Sequence, residues 1–188
     1  LAKGDMVVVL SGHTYLCVPE AARLYHERFA PKILLTNAPR PAGQEDLLRL
    51  GIRYPDALEI SLQLLAALRV PSETILAIPE RPEDLRAEAN MVSRFLANRP
   101  TRTLILVTPK AQGLRAHKIF GEALGAKVRL VMHPASADRF DPERWWKNRN
   151  DFTQVVWEYA ALADLWGRGL WRAVVGEATS APPTVTVR

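Results

Sequence analysis

The sequence alternates short β-branched apolar runs with amphipathic stretches of helical length, and this alternation constrains the fold more than any other feature. The runs have the length and composition of strands that are buried on both faces, and they span residues 6–10, 32–36, 74–78, 103–108 and 128–132. The amphipathic segments span residues 19–29, 55–70, 83–97, 113–124 and 153–165. We therefore predict a three-layer, Rossmann-like α/β domain, with a mostly parallel sheet of about five strands and helices on both faces.

Prolines and glycines mark the expected ends of several elements. Pro19 and Pro55 stand where the first and second helices are expected to begin, because proline fits the first turn of a helix. Gly125 is expected to stop the fourth helix. Residues 1–175 accordingly form a single predicted α/β domain. Residues 176–188 are rich in Ala, Thr and Pro and contain little core material, so we expect a flexible tail there.

Right-handed crossovers place the loops that follow parallel strands along one edge of the sheet, where ligands bind in such folds. After the first strand, the small residues Ser11 and Gly12 would let backbone N–H groups approach an anion, although a tight turn explains Gly12 equally well. His13, in the same loop, is a candidate catalytic acid or base or a hydrogen-bond donor to a phosphate, and the alternative is a histidine that is only solvated. After the second strand, Thr36 and Asn37 either cap the chain locally or face a ligand.

The loop after the fourth strand carries the remaining candidate ligand-binding residues, which are Thr108, Lys110, Gln112 and Arg115. A cation is unfavourable at a helix N-terminus, because the helix dipole is positive there. Arg115, in the first turn of the predicted fourth helix, therefore indicates a carboxylate partner or a bound anion. The alternative is a surface arginine on a solvated helix face.

The charge distribution favours an acidic ligand. The net charge is +5, and residues 99–149 contain eleven Lys or Arg against four acidic residues. This excess suits a phosphate, a nucleotide or an anionic lipid headgroup, although a solvated face is a common cause of such an excess. It is well short of the dense positive runs of nucleic-acid-binding proteins, so no nucleic-acid partner is expected.

Several common motifs are absent from the sequence. It has no dinucleotide-binding glycine motif, no P-loop and no nucleophile elbow, and its histidines are not at metal-ligand spacing, so no metal site and no particular cofactor is predicted. The single cysteine, Cys17, cannot form an internal disulfide and leaves the redox compartment open. No apolar run approaches the roughly 18–20 residues that span a bilayer.

Several segments, in their order and spacing, resemble a known family. They are residues 5–12, 21–25, 30–36, 70–75, 106–108, 114–116, 145–146 and 157–159. Together they look like the domain-of-unknown-function family 218, the SanA/ElyC/YdcF-like bacterial proteins, over residues 5–165. The resemblance implies a Rossmann-like domain that acts in biogenesis of the bacterial cell envelope. It also implies an extracytoplasmic domain held at the membrane by an anchor upstream of Leu1. One cytoplasmic branch of the family is linked to S-adenosylmethionine.

The sequence departs from the family pattern at four polar positions. Ser11-Gly12-His13 replaces a glycine run, and Thr36-Asn37-Ala38 replaces Ser-Gly-Gly. Glu88 remains without the Asn-Thr pair that usually precedes it, and Gln112 stands where the family has a histidine. Glutamine cannot move a proton near neutral pH. Any catalysis through that histidine is therefore lost here or moved to His13 or His117, which favours a divergent or binding-only member.

The sequence therefore predicts an envelope-biogenesis factor that binds a small anionic ligand or a lipid-linked precursor at the carboxyl edge of the sheet. The first alternative is a hydrolase or transferase that acts on a phosphate-linked substrate, with His13 or Glu88 as general acid or base. The second alternative is a cytoplasmic nucleotide or S-adenosylmethionine binder. It ranks lower because Thr36 and Asn37 supply no acidic group for a ribose after the second strand.

Overall fold

A computed structural model of the protein, which describes residues 1–178, contains a five-stranded, all-parallel sheet. The strands are β1 (Met6–Val9), β2 (Ile33–Thr36), β3 (Ile75–Ile78), β4 (Thr103–Thr108) and β5 (Arg129–Pro134). Their order across the sheet is β3-β2-β1-β4-β5, with each neighbouring pair parallel. The predicted Rossmann-like α/β fold is therefore confirmed.

Six helices accompany the strands in the described chain. They are α1 (Thr14–His26), α2 (Gln44–Arg49), α3 (Ala57–Ala67), α4 (Leu85–Leu96), α5 (Gly113–Leu124) and α6 (Arg149–Ala178). Helices α1 and α3 pack together on one face of the sheet, and α4 packs against α5 on the other. Because successive strand residues point to opposite faces, Val7 and Val9 join the α1 core cluster, and Val8 faces the other layer.

The prediction that Pro19 opens the first helix is wrong, because α1 begins at Thr14 and contains Pro19 in its interior. The His13 carbonyl accepts the first helical hydrogen bonds, from the backbone N–H groups of Leu16 and Cys17. Pro19 is exposed, so its ring faces solvent. It destabilises the helix because it has no N–H to donate to the carbonyl of Tyr15. Burial of the neighbouring apolar face, which includes Cys17 and Leu24, outweighs that cost.

One other helix boundary differs from the prediction for a reason of local chemistry. Helix α3 begins after Asp56 rather than at Pro55, because Asp56 forms a capping box with Glu59. In it, Asp56 Oδ1 accepts a hydrogen bond of 2.8 Å from the Glu59 backbone, and Glu59 Oε2 accepts one of 3.3 Å in return. The short helix α2 was not predicted.

The chain divides into two compact units. Residues Leu1–Phe140 form the unit that contains the entire sheet, and the second unit begins at Asp141 and contains α6. Helix α6 is longer than the predicted 153–165, and the part of the predicted tail beyond it, 179–188, lies outside the described residues. The single domain over 1–175 stays a prediction. Within residues 1–178, no helix combines the length and the apolar character that crossing a bilayer requires.

Candidate functional site

The strand order brings two of the candidate loops together at the carboxyl edge of the sheet. Strands β1 and β4 are neighbours, and the chain continues from β1 to one side of the sheet and from β4 to the other. In α/β proteins of this kind, such a reversal is where a crevice forms beyond the strand ends and ligands bind. The loop at 10–13 and the loop at 109–112 both leave the sheet at this crevice.

The N-termini of helices α1 and α5 meet at this crevice. His13 is the N-cap of α1 and Gln112 is the N-cap of α5, and their side-chain Nε2 atoms lie 2.8 Å apart. An amide nitrogen only donates, so in this contact His13 Nε2 is the acceptor, as it is in the tautomer that carries its proton on Nδ1. Neither helix has an acidic residue in its first turn, and neither N-cap side chain accepts a hydrogen bond from its helix. Both ends therefore carry the partial positive charge of the helix dipole, but a 3-10 turn at Lys110–Gln112 precedes α5, and the Gly113 N–H already donates to the Lys110 carbonyl.

Gly12 owes its identity to backbone conformation rather than to close packing. Its φ is +91°, in the region that glycine adopts without a steric penalty. A Cβ built on Gly12 would have no described heavy atom within 4 Å, so space around it remains. The turn interpretation of Gly12 is therefore supported, and the N–H of Ser11 that precedes it already donates to Glu88 Oε1.

Glu88, on α4, forms hydrogen bonds with the loop that follows β1. It is only 3 % exposed, and its Oε1 accepts hydrogen bonds from the Ser11 backbone at 2.8 Å and from Thr36 Oγ1. Its Oε2 accepts from Ser11 Oγ at 3.1 Å. Burial raises the pKa of Glu88, and the hydrogen bonds from Thr36 and Ser11 oppose that rise without cancelling it. Both carboxylate oxygens are thus occupied by protein donors, so Glu88 acts here as a positioning residue.

Asn37 and Thr108 are also buried. The Asn37 Nδ2 donates to the Pro79 carbonyl at 3.1 Å, and its Oδ1 accepts from the Ala38 backbone at 2.9 Å. Of the two interpretations of this asparagine, the structure shows the local cap, which joins the loops after β2 and β3. The carbonyl of Thr108 accepts from the Ala135 backbone at 2.9 Å, which ties the end of β4 to the chain after β5.

The two candidate cations of the loop after β4, Lys110 and Arg115, lie at the N-terminal end of α5. Lys110 Nζ donates to the Phe140 carbonyl at 3.1 Å, while its backbone N–H donates to Asp138 Oδ2 at 2.8 Å. Arg115 is half-buried in the first turn of α5, as predicted from the sequence. The two residues therefore flank Gln112 in the chain, Lys110 before it and Arg115 in the helix after it.

A cavity of about 420 Å³ opens at the same edge, and sequence reasoning missed most of its lining. Gly12, Thr14 and Tyr15 form the side towards α1. The remaining lining residues are Ala38, Pro39, Pro41, Gln44, Tyr54, Pro55, Asp56, Ala57, Ile60 and Arg81. Arg81 lies in the loop after β3, so the rule that loops following parallel strands gather at one edge also predicts its position. Gln44 and Tyr54 carry no comparable signal in the sequence.

The fold and the crevice define a Rossmann-like α/β protein with a candidate ligand site at the carboxyl edge of its sheet. No protein-family model and no curated protein matches the chain. Among solved structures, it is similar to one described as the crystal structure of universal stress protein in complex with cAMP, with a TM-score of 0.38 and 13% sequence identity. That match covers 71% of this chain and 98% of the other.

The resemblance to family 218 stays a prediction. In the part of the chain whose side chains the structure describes, no three His, Cys, Asp or Glu side chains are grouped to hold a metal ion.

The buried Glu88 carboxyl predicts a specific pH dependence of stability. Because its pKa is higher in the folded protein than its ordinary value of 4.5, the stability that it contributes is fully present below pH 4.5 and is lost as the pH rises through the folded pKa. A Glu88→Gln variant has no such titration. The free energy of unfolding of the wild type should therefore fall relative to that of the variant as the pH rises above 4.5.

Urea unfolding between pH 4 and pH 8 measures this difference. Glu83→Gln, at an exposed position just before α4, is the matched control and should follow the wild type. Parallel profiles for wild type and Glu88→Gln would contradict the prediction.

Proposed function

We propose that the protein binds a phosphorylated small molecule at the carboxyl edge of the sheet, between β1 and β4. The observation that carries this proposal is the meeting of the α1 and α5 N-termini at the His13–Gln112 hydrogen bond. A helix N-terminus offers backbone donors and partial positive charge to an anion, and here two of them converge. A phosphate group accepts several hydrogen bonds at once and so matches that arrangement.

The surrounding charge supports the same ligand class. Arg115 stands in the first turn of α5, where its guanidinium group can donate to an anion held at that helix end. Lys110 lies in the preceding loop, and its ammonium group contacts a neutral carbonyl, which leaves its charge uncompensated by that contact. The basic excess over residues 99–140, which belong to the same unit as the site, adds attraction over a longer range.

Arg115→Ala tests the anion site directly. We expect it to weaken the binding of a phosphorylated ligand by about 1.5–3 kcal/mol, which is the range for a hydrogen bond to a charged group. Calorimetric titrations with a short-chain polyprenyl phosphate, a uridine diphosphate sugar and inorganic phosphate measure the effect. Lys127→Ala, which removes an exposed cation before β5 at the opposite edge, should leave affinity unchanged.

Two outcomes would contradict the proposal. One is that the wild type binds none of the three probes. The other is that Arg115→Ala binds all of them as tightly as the wild type does.

The cellular setting that we propose is the bacterial envelope, with a lipid-linked precursor as ligand and a membrane anchor upstream of Leu1. This part rests on the family resemblance of residues 5–165 alone. We expect the full-length protein to be recovered with the membranes when cells are fractionated. Recovery in the cytosol would favour the cytoplasmic nucleotide or S-adenosylmethionine binder, for which Asn37 offers little, because both ends of its amide are used by the backbone.

One observation favours a second function, a hydrolase or transferase acting on a phosphate-linked substrate. His13 stands at the point where the two helix ends would hold a phosphate, within reach of a proton on it. As a general acid or base it would contribute about 10²–10⁴-fold to the rate. We expect His13→Asn to lower turnover of a nitrophenyl phosphate ester by that factor and to retain phosphate binding. A wild type without turnover of phosphate monoesters or diesters would exclude this function.

A further inference from the structure

The cavity of about 420 Å³ borders the N-terminus of α1, and its volume is typical of small-molecule sites. We propose that it holds an apolar chain attached to the phosphate, so that the ligand is a phosphorylated amphiphile. The inference rests on the proposed function, because Gly12 and Thr14, on either side of the α1 N-cap, also line the cavity. It specifies the ligand class as a phosphate ester of an aliphatic or isoprenoid alcohol.

Most of the side chains that line the cavity are apolar. Ala38, Pro39 and Pro41 form the side that follows β2, and Ala57 and Ile60 form the side contributed by α3. None of these side chains can form a hydrogen bond. A hydrocarbon chain buried against them is stabilised by the surface that it removes from water. A sugar or a second phosphate would instead lose hydrogen bonds to water there.

The polar groups of the cavity wall are largely committed to one another. Arg81 Nη2 donates to Asp56 Oδ2 at 2.6 Å, and its Nη1 donates to the Ala38 carbonyl at 3.3 Å. Asp56 Oδ1 accepts from the Glu59 backbone, and Gln44 Oε1 is buried within the wall, where an occupant cannot reach it. The guanidinium charge is therefore balanced by a carboxylate, and the cavity offers little to a charged or strongly polar occupant.

The wall segment, residues 44–54, exposes aliphatic side chains beside the cavity. Its end residues, Gln44 and Tyr54, both line the cavity. Between them, the exposed aliphatic side chains are Leu47, Leu48, Leu50 and Ile52. Leu50 is 74 % exposed and Ile52 is 52 % exposed. A group of large apolar side chains left in water marks a binding surface, and here it adjoins an apolar cavity. A chain longer than the cavity would continue onto this segment.

The charges of the wall segment do not favour a second anion. The segment contains two acidic and two basic residues, so its net charge is zero. Arg49 Nη1 lies 3.2 Å from Asp46 Oδ1, and Arg53 Nη2 lies 2.6 Å from Glu59 Oε1. Both arginines thus have a carboxylate partner. The positive end of α1 lies at the border of the cavity, so the phosphate is directed there and its chain away from it.

Two phosphate monoesters with the same headgroup test this inference: methyl phosphate and hexyl phosphate. Each fully buried methylene group raises affinity about fourfold, so even partial burial of the hexyl chain should make hexyl phosphate bind about tenfold more tightly than methyl phosphate. Calorimetric titrations give the ratio of the two dissociation constants.

Two substitutions of cavity-lining residues on α3 should lower that ratio. Ala57→Phe fills the cavity with a ring, and Ile60→Thr removes apolar surface and adds a hydroxyl group. We expect each to lower the ratio by about threefold or more and to leave the affinity for methyl phosphate unchanged. Leu68→Thr, at an exposed position beyond the other end of α3, is the matched control and should keep the wild-type ratio.

Urea unfolding checks the fold of each variant. Ile60 is half-buried, so Ile60→Thr can lower stability, whereas Ala57→Phe removes no apolar group and repeats the test independently. Equal affinities of the wild type for the two esters, or a ratio that survives both substitutions, would overturn the inference. So would a wild type that sediments as a dimer and shows no preference for hexyl phosphate, because a second copy would then cover the wall segment.

Failure here is distinguishable from failure of the anion site. Methyl phosphate that binds the wild type and is lost in Arg115→Ala, with hexyl phosphate binding no more tightly, would leave the anion site standing and overturn the chain site. A preference for hexyl phosphate, together with an Arg115→Ala variant that binds both esters as the wild type does, would do the opposite.

Discussion

The structure depends on burying a parallel sheet on both of its faces. Strand β1 is central: its four residues are buried, and it pairs with β2 on one side and β4 on the other, with Val8 opposite Leu34 and Leu106. Parallel neighbours need crossover connections, and helices on both faces supply them. Every chain segment that follows a strand therefore emerges at the same edge. The candidate site is a direct consequence of that constraint, because it consists of the loops after β1 and β4.

Buried polar side chains hold the loops at this edge of the sheet in position. Glu88 binds the backbone and hydroxyl of Ser11, and Asn37 joins the loops after β2 and β3. Glu20, on α1, accepts from the Ser136 backbone at 3.1 Å and lies 2.7 Å from His133 Nε2. Burial raises the pKa of Glu20, but hydrogen bonds from Arg23, Ser136 and His133 outweigh it and lower the pKa to about 2. Buried polar groups are costly unless paired, so each pairing fixes a loop as well as its own side chain.

The elements that rely on local signals could be predicted, and the contacts between distant residues could not. The strand at 103–108 was predicted at its observed bounds, because a continuous apolar run with turn residues beyond it has few alternatives. The start of α1 was misplaced, because a proline was interpreted by its local preference while tertiary burial overrode it. The pairing of Glu88 with Ser11 joins residues far apart in the chain, and no local pattern indicates it. The buried Gln44 Oε1, which has no hydrogen-bond partner among the described residues, is likewise apparent only once α2 is placed.

The His13–Gln112 pair argues for binding over proton transfer. The amide nitrogen of Gln112 donates to the imidazole Nε2, so the lone pair that a general base would use is already engaged. Acting as a base would first require breaking that bond, and the amide could not relay the proton, because it does not titrate near neutral pH. As a pair of N-caps, however, the two side chains link the ends of α1 and α5. The dipoles of the two helices are then available to an anion. Holding the two helix ends together is therefore the simplest role for His13 and Gln112.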